Sequence, residues 1–334
     1  HKSGTKHLTC GLHGNWAPEG LRNQSPDTYL ARNETDVADS SSLIFEAGGP
    51  IIRDRLFFYG LAQFQENESF NAGQTGSYTF QEDNDPFYGV KIDGYITDDH
   101  RVELTWFDTT REFRLFSGAY NNSTDTAGPR PAVPDIVTQG GESYVLRYTG
   151  QFTDWLTLSA AYGRNEDSNN SIPATFDIER ADDVRSGRAV RVSPGQTAVN
   201  VIFPVNTSRE FYRADADIFF SLLGDHHVRA GYELEKTTLE KNIRRVGDLG
   251  GRWIYRTARA TTPQAQGGNL APGEDYVELN IFRSGGSFEG ENTAFYIQDS
   301  WDVNDRLTVN AGVRLDQFAL FNASGEQYVD FNDE

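Results

Sequence analysis

Apolar and polar residues alternate along this chain in a repeated two-residue pattern, and this pattern restricts the fold more than any other feature. The segment 306–316 shows it best, because five apolar residues at odd positions alternate with polar residues or glycine at even ones. Successive side chains of a β-strand point to opposite faces, so the segment predicts a strand with one apolar and one polar face. The same alternation recurs in four other segments: 101–106, 144–151, 212–220 and 228–235.

The predicted strands are joined by connections that are alternately short and long. Five short junctions are rich in turn residues and indicate hairpin turns: 52–55, 97–100, 153–154, 223–226 and 302–305. After a first possible strand at 7–15, long polar stretches occupy 16–42, 71–85, 117–141, 167–208 and 242–290. Every second connection of an up-and-down sheet lies at the same end. All tight turns therefore lie at one end and all long loops at the other, as in outer-membrane barrels.

These patterns predict an all-β fold, an antiparallel up-and-down transmembrane β-barrel. About eleven strands of roughly 9–15 residues suit a tilted membrane crossing. No stretch of 18 apolar residues predicts a membrane helix. Five aromatic residues near strand ends are expected to form girdles at the membrane interfaces, with packing inside a soluble sandwich as the alternative. These residues are Trp106, Phe107, Trp155, Tyr296 and Trp301.

Composition excludes several classes of protein. The formal net charge is -19, whereas a nucleic-acid binder needs a basic surface to contact phosphates. A single Cys cannot form an internal disulfide or a Cys-based zinc site. The 22 Phe, 15 Tyr and 5 Trp are too many for a disordered acidic chain. The mean hydropathy of -0.59 fits a barrel, because it averages an apolar outer face, a polar inner face and acidic loops.

The sequence yields no catalytic, cofactor-binding or metal-binding residue. The acidic clusters 82–85 and 180–183 could supply oxygen ligands to calcium, but solvated loop charge is the expected role. His226 and His227 are neighbours on a strand, so they point to opposite faces and cannot easily chelate one ion. Cys10 is expected to be buried or to face the lumen.

Two loop aromatics, Trp253 and Tyr255, could contact a ligand at the outer mouth or pack within the loop. The sequence does not separate these alternatives. The ligand-binding residues therefore stay unknown.

Two hairpins resemble those of a known family. The segment 46–60, EAGGPIIRDRLFFYG, is similar to an early strand–turn–strand of TonB-dependent outer-membrane receptors, and 292–316 is similar to their mid-barrel hairpin. The opening residues 2–6 and His13-Gly14 resemble the entry into the first barrel strand after the plug domain. The subgroup that it most resembles carries an N-terminal carboxypeptidase-regulatory-like domain. The resemblance implies a barrel of about 22 strands around a plug.

On that resemblance, residues 1–334 are the N-terminal half of the barrel, and the plug domain and later strands lie outside the chain. The chain begins with His1 and contains no Met, so we expect a fragment. The implied function is energy-coupled uptake of a scarce nutrient across the outer membrane of a Gram-negative bacterium, without enzymatic activity. The implied partners are outer-membrane lipid and lipopolysaccharide, a TonB-type energy-coupling protein that acts through the missing N-terminal part, and a small nutrient of unknown identity.

Three alternatives remain open. A passive porin or an adhesive barrel shares every physical feature and lacks only the plug. A soluble glycan-binding β protein would have similar loops at both ends and no lipid-facing band. An outer-membrane enzyme is disfavoured because the His pair lies beside a short turn, at the end away from the long loops.

Overall fold

A computed structural model describes residues 7–74, 76–187, 189–193, 201–259 and 270–330. Within these ranges, eleven strands form one wall: β1 (Thr9–Ala17), β2 (Val37–Ile52), β3 (Leu56–Gly73), β5 (Phe87–Tyr95), β6 (His100–Asp108), β10 (Glu142–Thr153), β11 (Leu156–Ile172), β15 (Val205–Ser221), β16 (Asp225–Arg245), β19 (Arg283–Asn304) and β20 (Leu307–Phe321). Each wall strand pairs antiparallel with the next one in this order. The predicted up-and-down fold is confirmed.

The remaining strands lie in the connections between wall strands, except β21, which follows β20. They are β4 (Ser77–Asp83), β7 (Arg111–Asn121), β8 (Thr126–Ala127), β9 (Asp135–Gly140), β12 (Arg180–Asp183), β13 (Val190–Arg191), β14 (Val201–Ile202), β17 (Gly251–Thr257), β18 (Asp275–Ile281) and β21 (Gln327–Asp330). Two short 3-10 helices occupy Glu19–Leu21 and Asn33–Thr35. No helix among the described residues is long and apolar enough to cross a membrane.

The five tight turns fall where the sequence predicts them, between β2 and β3, β5 and β6, β10 and β11, β15 and β16, and β19 and β20. The turn at Leu223-Gly224 needs a glycine, because Gly224 has a φ of 129°. The expected strand lengths are too short for several wall strands, since β16 has 21 residues and β19 has 22. These two strands continue their mutual pairing beyond a membrane thickness, so much of the predicted loop sequence forms paired β-structure.

The two faces of the wall differ as the alternation predicts. On one face, large apolar side chains remain more than half exposed, among them Phe295 (52%), Ile297 (54%), Val313 (72%) and Leu315 (59%). A broad apolar surface of this kind indicates contact with lipid or a partner, and on a barrel wall it is the lipid-facing band. The opposite face carries both signs of charge and is the lumen face.

Aromatic residues form two rows on the lipid face. The row near the long loops contains contacts between Phe64 and Tyr88 and between Tyr162 and its neighbours Tyr144 and Tyr212, with ring centroids 4.9–6.4 Å apart. Trp106 lies opposite Val90 and Tyr144 on the same face. These contacts fit an interfacial girdle.

The second row lies beside the short turns. The Trp301 ring stacks on His226 at 5.3 Å, and His226 stacks on Phe220 at 4.8 Å. Trp155 is 53% exposed beside the β10–β11 turn. The placement of Trp155 and Trp301 beside short turns agrees with the prediction of a girdle at this end.

The prediction is wrong for Phe107 and Tyr296, which belong to the lumen face. Phe107 is paired with Gly89 and Ser143, and Tyr296 is paired with Gly231. Because side chains alternate along a strand, Phe107 must lie on the opposite face of the wall from its neighbour Trp106. A position near a strand end therefore does not by itself place an aromatic residue at the lipid.

Cys10 also differs from its prediction. The residue is exposed and pairs with Ala47, on the same face as Leu12 and Phe45. Cys10 therefore belongs to the lipid face of β1. The alternation of β1 agrees with this face, because Leu12 and Trp16 lie on the side of Cys10, and His13 and Asn15 lie on the other.

Candidate functional site on the lumen face of the wall

A network of charges crosses the lumen face between β15 and β20. The Asp215 carboxylate is 8% exposed, and its Oδ2 contacts Arg213 Nε at 2.8 Å and Arg229 Nη2 at 3.3 Å. Tyr296 donates its hydroxyl to Asp215 Oδ1. Gly231 gives this ring its space, because a Cβ at Gly231 would lie 2.3 Å from Tyr296 Cζ.

The network extends to the last wall strand. Arg314 Nη2 lies 2.8 Å from Glu233 Oε2, and Arg314 Nε lies 3.0 Å from Asp316 Oδ1. Glu233 also contacts Arg213 at 3.4 Å, which connects this group to Asp215. The strands β15, β16 and β20 thus contribute ionic side chains to one lumen-facing band, and β19 contributes the Tyr296 hydroxyl.

A second ionic group lies on β5 and β6. Lys91 Nζ is 3.1 Å from Glu103 Oε1, and Arg101 Nη2 lies 2.8 Å from both Glu103 Oε1 and Asp93 Oδ1. Asp93 is 2% exposed. Charges held this way need water or a polar protein surface opposite them, because lipid would not solvate them.

Three neighbouring strands are interrupted at one height above these groups. Residues 84–86 separate β4 from β5, 109–110 separate β6 from β7, and Gly141 separates β9 from β10. Below the interruption, β5, β6 and β10 fill the wall between β3 and β11. Above it, β4, β7 and β9 fill the same interval.

Local sequence explains two of the interruptions. Pro86 has no N–H to donate to a neighbouring strand. Gly140 has a φ of 84°, and a Cβ there would lie 2.2 Å from the Thr109 carbonyl oxygen. Only glycine tolerates this approach of β9 to the β6–β7 connection.

A cavity of about 560 Å³ lies at the level of these interruptions. Its lining includes these polar side chains: Gln63, Gln65, Arg111, Gln139, Asp167 and Asn169. Strand pairing places Gln63 with Phe87 on the lumen face. Amide, hydroxyl and charged groups here can hydrogen-bond a polar ligand that passes along the wall.

The two His residues point to opposite faces, as predicted. His226 stacks on aromatic rings of the lipid face, and its Nδ1 lies 2.7 Å from Asp299 Oδ2. His227 lies on the lumen face, 2.8 Å from Asp217 Oδ1. In the described part of the chain, no group of three His, Cys, Asp or Glu residues is arranged to hold a metal ion.

The two acidic clusters are paired with arginines. Glu82 contacts Arg130 at 2.6 Å, and Asp182 contacts Arg180 at 2.7 Å and Arg252 at 2.6 Å. Asp182 is 1% exposed, so solvated loop charge is the wrong description of this residue. No local pattern indicates the contact with Arg252, because Arg252 is 70 residues from Asp182.

Of the two loop aromatics, Trp253 is held within the loop structure. Its Nε1 donates to Glu179 Oε2 at 2.5 Å. Tyr255 is 37% exposed, and its ring lies 5.8 Å from the Arg185 guanidinium carbon. Packing within the loop thus describes Trp253, and no ligand role follows from its contacts.

A family model for the outer membrane beta barrel domain matches residues 61–334. Among solved structures, the siderophore receptor PirA from Acinetobacter baumannii aligns with a TM-score of 0.50 and 14% identity, over 95% of this chain and 40% of that one. PiuA, another siderophore receptor from Acinetobacter baumannii, aligns with a TM-score of 0.48 and 12% identity, over 98% of this chain and 45% of that one. The outer membrane transporter YddB from Escherichia coli aligns with a TM-score of 0.46 and 12% identity, over 86% of this chain and 35% of that one.

The chain spans less than half the length of these structures, and no curated protein sequence matches it. The likeness to PirA shows a shared barrel fold. The predicted subgroup with a carboxypeptidase-regulatory-like domain stays a prediction. Since the family match covers most of the chain, this protein belongs to the outer membrane beta barrel domain family of the Gram-negative outer membrane.

Proposed function

We propose that these residues form the N-terminal half of the barrel of a TonB-dependent receptor, which takes up a scarce nutrient across the outer membrane. The carrying observation is the ionic lumen face, where Asp215 and Asp93 are held by arginines on neighbouring strands. A closed wall of small diameter fills its interior with its own side chains, whereas a 22-stranded barrel surrounds a plug. A wide polar lumen face suits the second case.

The open edges support a larger barrel. In the described chain, β1 pairs with β2 alone, and β20 pairs with β19 and the short β21. Unpaired backbone groups are not tolerated in lipid, so the wall requires further strands to close. The aligned receptors are more than twice as long as this chain.

PirA, which shares the barrel fold, is a siderophore receptor, and this favours a small, scarce ligand. A TonB-type energy-coupling protein would act through the plug side, and lipopolysaccharide would surround the outer aromatic row. The polar cavity beside Gly140 faces the lumen, so on this proposal it would contact a ligand that moves along the wall.

Growth under single-nutrient limitation tests the proposal. One strain lacks the gene and a second lacks the TonB-type protein, and both grow with iron, cobalamin or a glycan as the limiting nutrient. We expect the same defect in both strains under one limitation, restored in the first by the gene. A defect in the gene deletion alone would contradict energy coupling and identify a passive barrel.

A further inference from the structure

A small four-stranded sheet lies among the long connections, outside the membrane-crossing wall. It has the strand order β13, β12, β17 and β18. The parallel pairing of β12 with β17 places Arg180 opposite Arg252, and the antiparallel pairing of β12 with β13 places Asp182 opposite Arg191. Because side chains alternate along a strand, these four residues share one face of the sheet.

Asp182 holds two of these arginines in place. Arg180 Nε and Arg252 Nε donate to the same oxygen, Asp182 Oδ2, at 2.7 and 2.6 Å. Arg180 Nη2 also donates to Oδ1 at 3.3 Å. The two arginines lower the pKa of the Asp182 carboxyl despite its burial, so it stays ionised. One carboxylate thus fixes two guanidinium groups, and one positive charge remains.

Two more arginines extend the positive cluster. Arg245, at the end of β16, donates from Nη2 to Asn280 Oδ1 at 3.1 Å, and Asn280 lies opposite Arg252. Burial, followed by repulsion from Arg180 and Arg252, lowers the pKa of both Arg191 and Arg245. Arg180 and Arg252 therefore repel both Arg191 and Arg245.

The cluster carries an excess of positive charge. The cluster contains four guanidinium groups and one carboxylate, Asp182, whose negative charge acts on both Arg191 and Arg245. In a chain with a net charge of -19, this concentration of like charge stands apart.

We propose that Arg180, Arg191, Arg245 and Arg252 form a binding site for a multivalent oxyanion that bears phosphate or carboxylate groups. The planar guanidinium fork matches both groups with paired hydrogen bonds. Several arginines fixed before binding lose little side-chain freedom, and a bound anion removes their mutual repulsion. Asp182 positions two of the four groups and leaves the excess charge for the ligand.

The anion can come from two sources, a soluble ligand or a phosphate of lipopolysaccharide. The site itself does not depend on transport. The further statement that the soluble anion is the nutrient rests on the proposed function. Anion binding and nutrient uptake are therefore tested separately.

Isothermal titration of the full-length protein in detergent with pyrophosphate, and separately with citrate, tests the site. The variant Arg191→Gln/Arg245→Gln keeps the Asp182 pair and removes two positive charges. We expect its Kd for at least one probe to rise at least tenfold. Arg185→Gln is the matched control, because Arg185 contacts Asp183 and Asp275 at another part of the same sheet and should change the Kd less than twofold.

Heat-modifiable migration on gels confirms that each variant is folded before titration. Absence of binding by the folded wild-type protein, or equal loss in the Arg185 control, would overturn the site. Mass spectrometry of the purified protein distinguishes the sources. Lipopolysaccharide that copurifies with the wild type and is lost from the double variant supports the lipid phosphate, and unchanged lipopolysaccharide together with probe binding supports a soluble anion.

Uptake measurements separate the site from the proposed function. Normal uptake by the double variant, together with weakened probe binding, leaves the anion site standing and overturns its role in nutrient capture. Uptake that does not require the TonB-type protein overturns the proposed function, while the titration result still stands.

Discussion

Replacing Val313 by arginine places a charge in the middle of the lipid-facing band. A strand rises about 3.4 Å per residue and barrel strands tilt by about 40°, so each residue advances about 2.6 Å across the membrane. Val313 follows Leu307, the first residue of β20, by six positions (313 − 307), which puts it about 16 Å from the turn. The apolar band is about 25 Å tall, so Val313 lies near its centre.

Arginine at this depth on the lipid face costs about 2–4 kcal/mol, which lowers the folding equilibrium constant by roughly 30- to 900-fold. The matched control is Gln298→Arg. Gln298 lies opposite Gly312 and Arg229 on the lumen face at nearly the same height, so its variant should lose less than about 1 kcal/mol.

The assay is guanidinium unfolding of the full-length protein in phospholipid vesicles, followed by tryptophan fluorescence. We expect the midpoint of Val313→Arg to fall clearly below that of Gln298→Arg, with similar slopes. Equal midpoints, or a larger loss for Gln298→Arg, would refute the assignment of the two faces.

Four other predictions follow from local contacts. Gly140→Ala should lower the free energy of unfolding by about 1–3 kcal/mol because of the positive φ at this position, and amide hydrogen exchange should accelerate over 109–141. The control Gly14→Ala, with open space around its Cβ, should change neither the stability nor the exchange rates. The Arg185 hydrogen bonds lower the pKa of the Asp183 carboxyl to about 2, so this pair stabilises the loop above about pH 4 and loses its effect as the pH falls through 2. Carbon NMR of Arg185→Gln should show a higher pKa for Asp183, and an unchanged value would exclude the contact. A spin label on Cys10 should be relaxed by oxygen more than by a water-soluble nickel complex, and the reverse would place it in the lumen. Residues 1–334 expressed alone should aggregate or stay unfolded because of their open edges, and a stable, heat-modifiable monomer would contradict the half-barrel.

The sequence predicts the wall well because its signal is local. In β20, every second side chain must face lipid, so the segment 307–315 alone specifies the strand and its two faces. Turn residues such as Asp54 and Gly224 similarly specify the tight ends, since both adopt positive φ values. These properties need no knowledge of which strand lies alongside.

The predictions failed for single residues considered apart from their strand, and for contacts with a distant partner. Cys10 and Tyr296 were assigned to the wrong face, although Leu12 and Phe295 beside them already indicate the faces that strand pairing shows. The long polar stretches were predicted as loops because their pattern is weak. In the fold, β16 and β19 support each other's extension beyond the membrane.

The alternation and the spacing of turns determined by themselves that this chain forms an outer-membrane wall, because a two-residue period and a tight turn are properties of neighbouring residues. Only the tertiary structure brought Asp182 and Arg252 together, and with them the positive cluster outside the membrane. Those contacts join connections that lie far apart in sequence, and no local pattern encodes them. The wall could therefore be predicted from the sequence, whereas the anion site could not.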